Sequence, residues 1–166
     1  MNKKIIISFF LLIVLAVIYF IYTEMQKPDL APMSMEEINQ KYNFSIENQE
    51  YSSINNYELK EPDLEECTGE EYMKTLSFPE DQISSYKDGD FDVLSYSEGA
   101  AGSIYQTYDY IFKSKGKCYV FEITEQIPHC GNYYMEEPEI SECQNKQDEG
   151  LAFYNTKIKK LLSLFN

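Results

Sequence analysis

Four cysteines and a single histidine are the residues of this 166-residue chain whose types could do chemistry. A zinc site would need thiols in close pairs, two to four residues apart, and Cys67, Cys118, Cys130 and Cys143 show no such spacing. Their even number points instead to two disulfides. Three pairings are possible. Cys118 and Cys130 bracket a predicted strand that would hold them about 30 Å or more apart, too far to bridge. Of those left, Cys130 with Cys143 and Cys67 with Cys118 is favoured, and closing the shorter loop is worth about 3 kcal/mol by loop-closure entropy.

His129 as a general base would need a nucleophile and an orienting acid, and the sequence singles out neither. Its neighbour Cys130 is expected to be oxidised, so His129 reads as a strand-end surface residue. Two acidic stretches, residues 61–71 and 136–142, could ligate calcium. The first lacks the alternating Asp/Asn ladder and central glycine of a calcium loop and reads as solvated. No catalytic, cofactor-binding or metal-ligating residue is assigned, and no cofactor is expected.

The oxidation of the thiols depends on compartment, which one stretch decides. Residues 5–22, IIISFFLLIVLAVIYFIY, carry no charge, proline or glycine. As a helix they rise about 27 Å, close to the hydrocarbon thickness of a bilayer. Lys3 and Lys4 before the run keep the amino terminus inside and send the rest across. The run ends in bulky residues rather than a small-x-small cleavage site, so an uncleaved anchor is expected. No cysteine follows it, against a lipoprotein, and it holds no acid, against a pilin-type helix. The expected organisation is an anchor over 1–22, a linker over 23–33 and one extracytoplasmic domain over 34–166.

Beyond Tyr22 the balance is 12 lysines against 28 acidic residues, a formal charge of −16. Such a surface repels nucleic acid, and the chain has no arginine to grip phosphate. Fifteen tyrosines and ten phenylalanines supply a core, which argues against disorder.

The elements that must position these residues are legible in part. Ser34 and Glu37 form a capping-box pattern, predicting a short helix to about Tyr42. Weak alternation over 43–59 predicts one or two short strands broken at Asn55-Asn56, and 70–76 one helical turn. Three antiparallel strands follow, over 91–97, 103–112 and 117–127, joined by a small-residue turn at 98–102 and a hairpin at Ser114-Lys115-Gly116. On the second of these strands Ile104, Gln106, Tyr108 and Tyr110 oppose Tyr105, Thr107, Asp109 and Ile111. On the third, Tyr119, Phe121 and Ile123 share one face, with Cys118, Val120 and Glu122 on the other. One face is expected under helices and the other partly wet. Residues 145–165 carry Leu151, Tyr154, Ile158, Leu161, Leu162 and Phe165 at helical spacing, a helix that packs on the sheet. The fold class is α+β, an antiparallel sheet flanked by a short N-terminal helix and a C-terminal helix, preceded by one transmembrane helix.

The segments Leu94-Ser95-Tyr96-Ser97-Glu98-Gly99-Ala100-Ala101-Gly102-Ser103, Lys117-Cys118-Tyr119-Val120-Phe121, His129-Cys130-Gly131-Asn132-Tyr133 and the closing Leu161-Leu162-Ser163-x-Phe165 resemble a group of small bacterial proteins with an amino-terminal anchor or signal. Their C-terminal arrangement is similar to PsbP-like domains, over residues 90–166. The resemblance implies an antiparallel sheet flanked by helices and supplies no catalytic motif. The expected function is a non-enzymatic binding or accessory protein of the cell envelope, with the membrane engaged through 5–22 and another envelope protein as partner. Aromatic side chains on both strand faces, more than one small core needs, motivate it. The alternatives are an envelope hydrolase using His129, or a calcium- or small-ligand-binding module.

Overall fold

The computed structural model describes residues 3–26, 30–49, 51–100, 102–130 and 139–165. Helix α1 runs Lys3–Gln26, and its large apolar side chains from Phe9 to Tyr22 are exposed. Among the described residues no helix is long and apolar enough to cross a membrane. Within 23–33, helix continues to Gln26, while Leu30 and Met33 are already buried in the folded body.

Helix α2, Met35–Tyr42, is closed at its start by the expected capping box: Ser34 Oγ accepts from the Glu37 N–H, and the Ser34 N–H donates to Glu37 Oε2 at 2.8 Å. Strand β1, Ser53–Lys60, is one strand rather than two, because Asn55 is absorbed as an irregularity in the register between Ile54 and Asn56. A crossover follows, holding the short helix α3, Gly69–Met73, capped by Thr68, and a single 3₁₀ turn, Glu80–Gln82. The remaining strands are β2, Ser84–Asp88, β3, Phe91–Ala100, β4, Ser103–Ser114, and β5, Lys117–Pro128, before helix α4, Glu139–Leu162.

The five strands form one antiparallel sheet in the order β1-β5-β4-β3-β2. The β4–β5 hairpin turns on Lys115 and Gly116, both at positive φ (47° and 81°), the geometry a two-residue turn needs to match strand twist. Strand β2 escapes sequence reading because it is an edge strand, exposed along nearly all its length, and so shows no apolar alternation.

The sheet has two cores. On its first face Tyr110, Phe112, Tyr119, Phe121 and Ile123 pack under Tyr154, Ile158, Leu161 and Leu162 of α4, with Phe165, Ile38 of α2, Leu30 and Met33 completing the layer. Each such side chain contributes about 1.5–3 kcal/mol by leaving water. The second face carries a smaller cluster, Tyr72, Leu94, Ile111 and Val120, closed by Leu64, Met73, Leu76 and Ile83 of the crossover. The abundance of aromatic residues is thus largely spent inside: Phe112 stacks on Phe165 at 5.8 Å, and Phe91, Tyr57 and Tyr119 join the same layer.

Candidate functional site

The sulfur pairs are the two favoured from spacing. Cys67 of the crossover meets Cys118 at the start of β5 (Cα–Cα 5.3 Å), and Cys130 meets Cys143 in the second turn of α4 (Cα–Cα 5.9 Å). No free cysteine occurs among the described residues. The first pair ties the crossover to the second face and the second ties α4 to the end of β5. Both fit an oxidising, extracytoplasmic location.

His129 is exposed just past β5, its backbone N–H donating to Gly102 at 2.9 Å. The clefts at α1, at the end of α2, at the β2–β3 turn and at Met33 are lined by other residues. Among the described residues, no group of three or more His, Cys, Asp or Glu side chains converges as a metal would require. Glu136 and Glu137, part of the second acidic stretch, lie outside the described residues.

The arrangement with the most unusual chemistry was not singled out from sequence. Asp109, in the middle of β4, is wholly buried on the second face, and neither carboxylate oxygen has a hydrogen-bond partner of ordinary geometry. Its cross-strand neighbour is Glu122 of β5. Glu122 accepts from Lys60 Nζ at 2.7 Å, and the same ammonium reaches Glu58 at 2.8 Å. Two carboxylates thus hold one cation, with Asp109 beside them and the phenols of Tyr72 and Tyr96 close enough to feel Asp109. Burial, then the neighbouring Glu122 charge, pushes the Asp109 carboxyl up to about 7. Burial also raises both phenols, and the Asp109 charge raises them further. Burial disfavours the Lys60 ammonium, but Glu122 and Glu58 outweigh it and hold the amine protonated.

The backbone explains how this cluster is held. Asp92 of β3 accepts from the Gly69 N–H at 2.9 Å and pairs with Lys87, seating α3 and therefore Tyr72 over the sheet. Burial alone would raise the Asp92 carboxyl, but Lys87 and the Gly69 amide bring it below its usual range. A Cβ on Gly69 would stand 3.2 Å from Asp92 Cβ, so glycine allows that approach. Phe78 packs on Tyr96 at 4.9 Å and closes the crossover's other end. Beyond it the second face opens: Asn56 and Glu98 are exposed, and Tyr105, Glu122, Thr124 and Gln126 are half-buried.

A second buried acid sits on the opposite face. Glu125 of β5, 1% exposed, lies where Gln106 and Ile54 pair with it across the strands, and its Oε2 has no hydrogen-bond partner. Burial pushes it up to about 7, and its charge adds to the burial that lifts Tyr108 to about 12.

The sequence did hold one signal for Asp109. A residue poorly suited to strands stands at an inward position of a strongly alternating strand, directly opposite a second acid.

Compared with known proteins, the chain matches no family model, no curated protein and no solved structure.

Proposed function

We propose that this chain is a single-pass membrane protein whose extracytoplasmic domain binds another envelope component without catalysing a reaction. The anchor rests on the uncharged run over residues 5–22 and on the exposure of its side chains. A helix that shows Phe9, Phe10, Leu12 and Phe20 to solvent at more than 60% each has nothing but lipid to bury them in. The binding surface is the open half of the second sheet face, and one observation carries it: at its border Asp109 is buried with neither oxygen in a hydrogen bond of ordinary geometry, Tyr96 and Glu122 being the only polar side chains close enough to approach one. An acid in that state costs stability, and a hydrogen-bond donor or cation from a partner would relieve it. The partner this chemistry selects is a basic or donor-rich surface, which the −16 domain would also attract over long range. The PsbP-like likeness of residues 90–166 names no ligand and adds no site residue. An envelope hydrolase built on His129 draws no support from its exposed position outside those clefts.

A photo-crosslinking side chain placed at Thr124 in intact cells should give a discrete adduct that one at Glu149 on α4 does not. Asp109→Asn should weaken that adduct without loss of folded protein. No adduct from Thr124, or one indifferent to residue 109, would overturn the reading.

A further inference from the structure

Asp109 is a side chain that the sheet alone cannot hide. Its cross-strand neighbours, Leu94 on β3 and Glu122 on β5, flank it within the sheet and leave its outward side bare. The residue is nevertheless wholly buried, and what packs on that part of the face is the crossover, through Tyr72, Met73, Leu76 and Ile83. Tyr72 of α3 and Tyr96 of β3, whose ring carries Phe78 of the crossover, bring their phenols close enough to feel the Asp109 charge. A partner can touch Asp109 only after this cover has moved.

The cover is fixed at its ends and lightly held between them. Cys67 is bonded to Cys118, and β2 pairs along its length with β3. Between these points the cover rests on a small apolar cluster, on Phe78 against Tyr96 and on the Gly69 N–H that donates to Asp92. Burial would raise the Asp92 carboxyl, but Lys87 and the Gly69 amide hold it below its usual range, so this seat stays charged near neutral pH.

Asp109 has no such support. The groups that face it are Glu122 from β5, Tyr72 from α3 and Tyr96 from β3, with Lys60 and Glu58 of β1 beyond Glu122. Lys60, the cation among them, is engaged by Glu122 and Glu58, and neither Asp109 oxygen has a hydrogen bond of ordinary geometry. A negative charge formed there is stripped of water and faces a second carboxylate, whereas one uncovered by lifting the crossover is hydrated.

We propose that the crossover from Thr68 to Ile83 is a lid over Asp109 that lifts when this carboxyl loses its proton. Lifting uncovers Asp109 and widens the open half of the second face, so a proton regulates the binding surface described above. That use rests on the binding reading, whereas the movement does not. In the closed fold burial, then the Glu122 charge, pushes the carboxyl up to about 7 from an ordinary 3.8. Opening releases a proton across that interval, so the open fraction rises with pH from about 4 and levels off above about 7.

Amide hydrogen exchange of the full-length chain in detergent micelles, read by mass spectrometry and corrected for the intrinsic pH dependence of exchange, measures the opening. Peptides covering residues 68–76 should lose protection at least about tenfold between about pH 5 and about pH 8. Low urea should leave their exchange unchanged, the mark of a local opening, while exchange in residues 119–123 responds to it. Asp109→Asn should remove the pH response of the lid, and Glu125→Gln on the other face should not. Glu122→Gln takes away the charge opposite Asp109 and should move the midpoint to lower pH, a test that serves if the asparagine variant does not accumulate. Exchange at 68–76 that follows 119–123 in pH and urea alike, or a pH response that survives Asp109→Asn, overturns the lid. A pH-responsive lid without an adduct from Thr124 overturns the binding reading and leaves the lid standing; an adduct from Thr124 with a pH-insensitive lid does the reverse.

Discussion

The two faces of this sheet are closed by different means. On the first, α4 brings a continuous apolar stripe, and Tyr154, Ile158, Leu161 and Leu162 meet a row of aromatic side chains from β4 and β5. On the second, an irregular crossover with one five-residue helix covers part of the sheet and is pinned by Cys67–Cys118 and by Asp92. Burial dominates the first closure, with the Cys130–Cys143 bridge and the Tyr154 hydroxyl fixing α4 at one end. The second has too little apolar area and relies on a covalent staple and placed hydrogen bonds. Each face nonetheless buries one carboxyl without full hydrogen bonding, Glu125 under the helical layer and Asp109 beside the crossover.

The largest expected difference is in packing. Phe121→Ala on the first face, at the junction with Tyr57 and Phe165, should lower the unfolding free energy by about 3–5 kcal/mol in urea denaturation. Leu94→Ala on the second face should cost about 2–4 kcal/mol. If the second costs more than the first, the contrast between the faces is inverted.

Next come the staples. Replacing Cys67 and Cys118 by alanine opens a loop of 51 residues and should cost about 4 kcal/mol, against about 3 for the 13-residue separation of Cys130 and Cys143. Limited proteolysis of the Cys67/Cys118 variant should cut first within the crossover, because little else holds it.

The buried acids change stability in the opposite direction. Both are raised to about 7 in the folded chain, from ordinary values of 3.8 for Asp109 and 4.5 for Glu125. Between those limits the folded state holds protons that the unfolded state releases. Their favourable contribution is therefore complete below about pH 4 and is lost as pH rises through 7. Asp109→Asn should stabilise the protein by about 2–4 kcal/mol at pH 8 and by little at pH 4, with Glu125→Gln behaving similarly. Melting curves at the two pH values check both. Equal effects at pH 4 and pH 8 would mean that the carboxyls are solvated.

The smallest effect is local. Ser34→Ala removes the acceptor for the Glu37 amide and should cost about 0.5–2 kcal/mol, with the loss confined to α2 in hydrogen exchange.

What could be read beforehand followed the same division. The stripe on α4 and the alternation of β4 and β5 are patterns of one segment, so the first face was legible down to Tyr119, Phe121 and Ile123. Helix α4 begins at Glu139 rather than near 145, as its polar first turns lack that stripe, although Cys143 is buried there. The crossover has no period to read, and α3 is a single capped turn. Glu125 looks like an ordinary polar residue of an alternating strand, and the inward position of Asp109 acquires its meaning only once its surroundings are known.

By itself the sequence determined the capped helix α2, the three long strands and their faces, the hairpin at Lys115-Gly116, the apolar run of α1 and the cysteine pairing. These depend on residue spacing along a short length of chain. Only the tertiary structure decided that β2 closes one edge and β1 the other, and that the crossover covers half of the second face. It also decided which acids lose their water. Burial of a polar group is set by segments distant in sequence: Glu122 and Tyr72 reach Asp109 only when β5 and α3 are brought to β4.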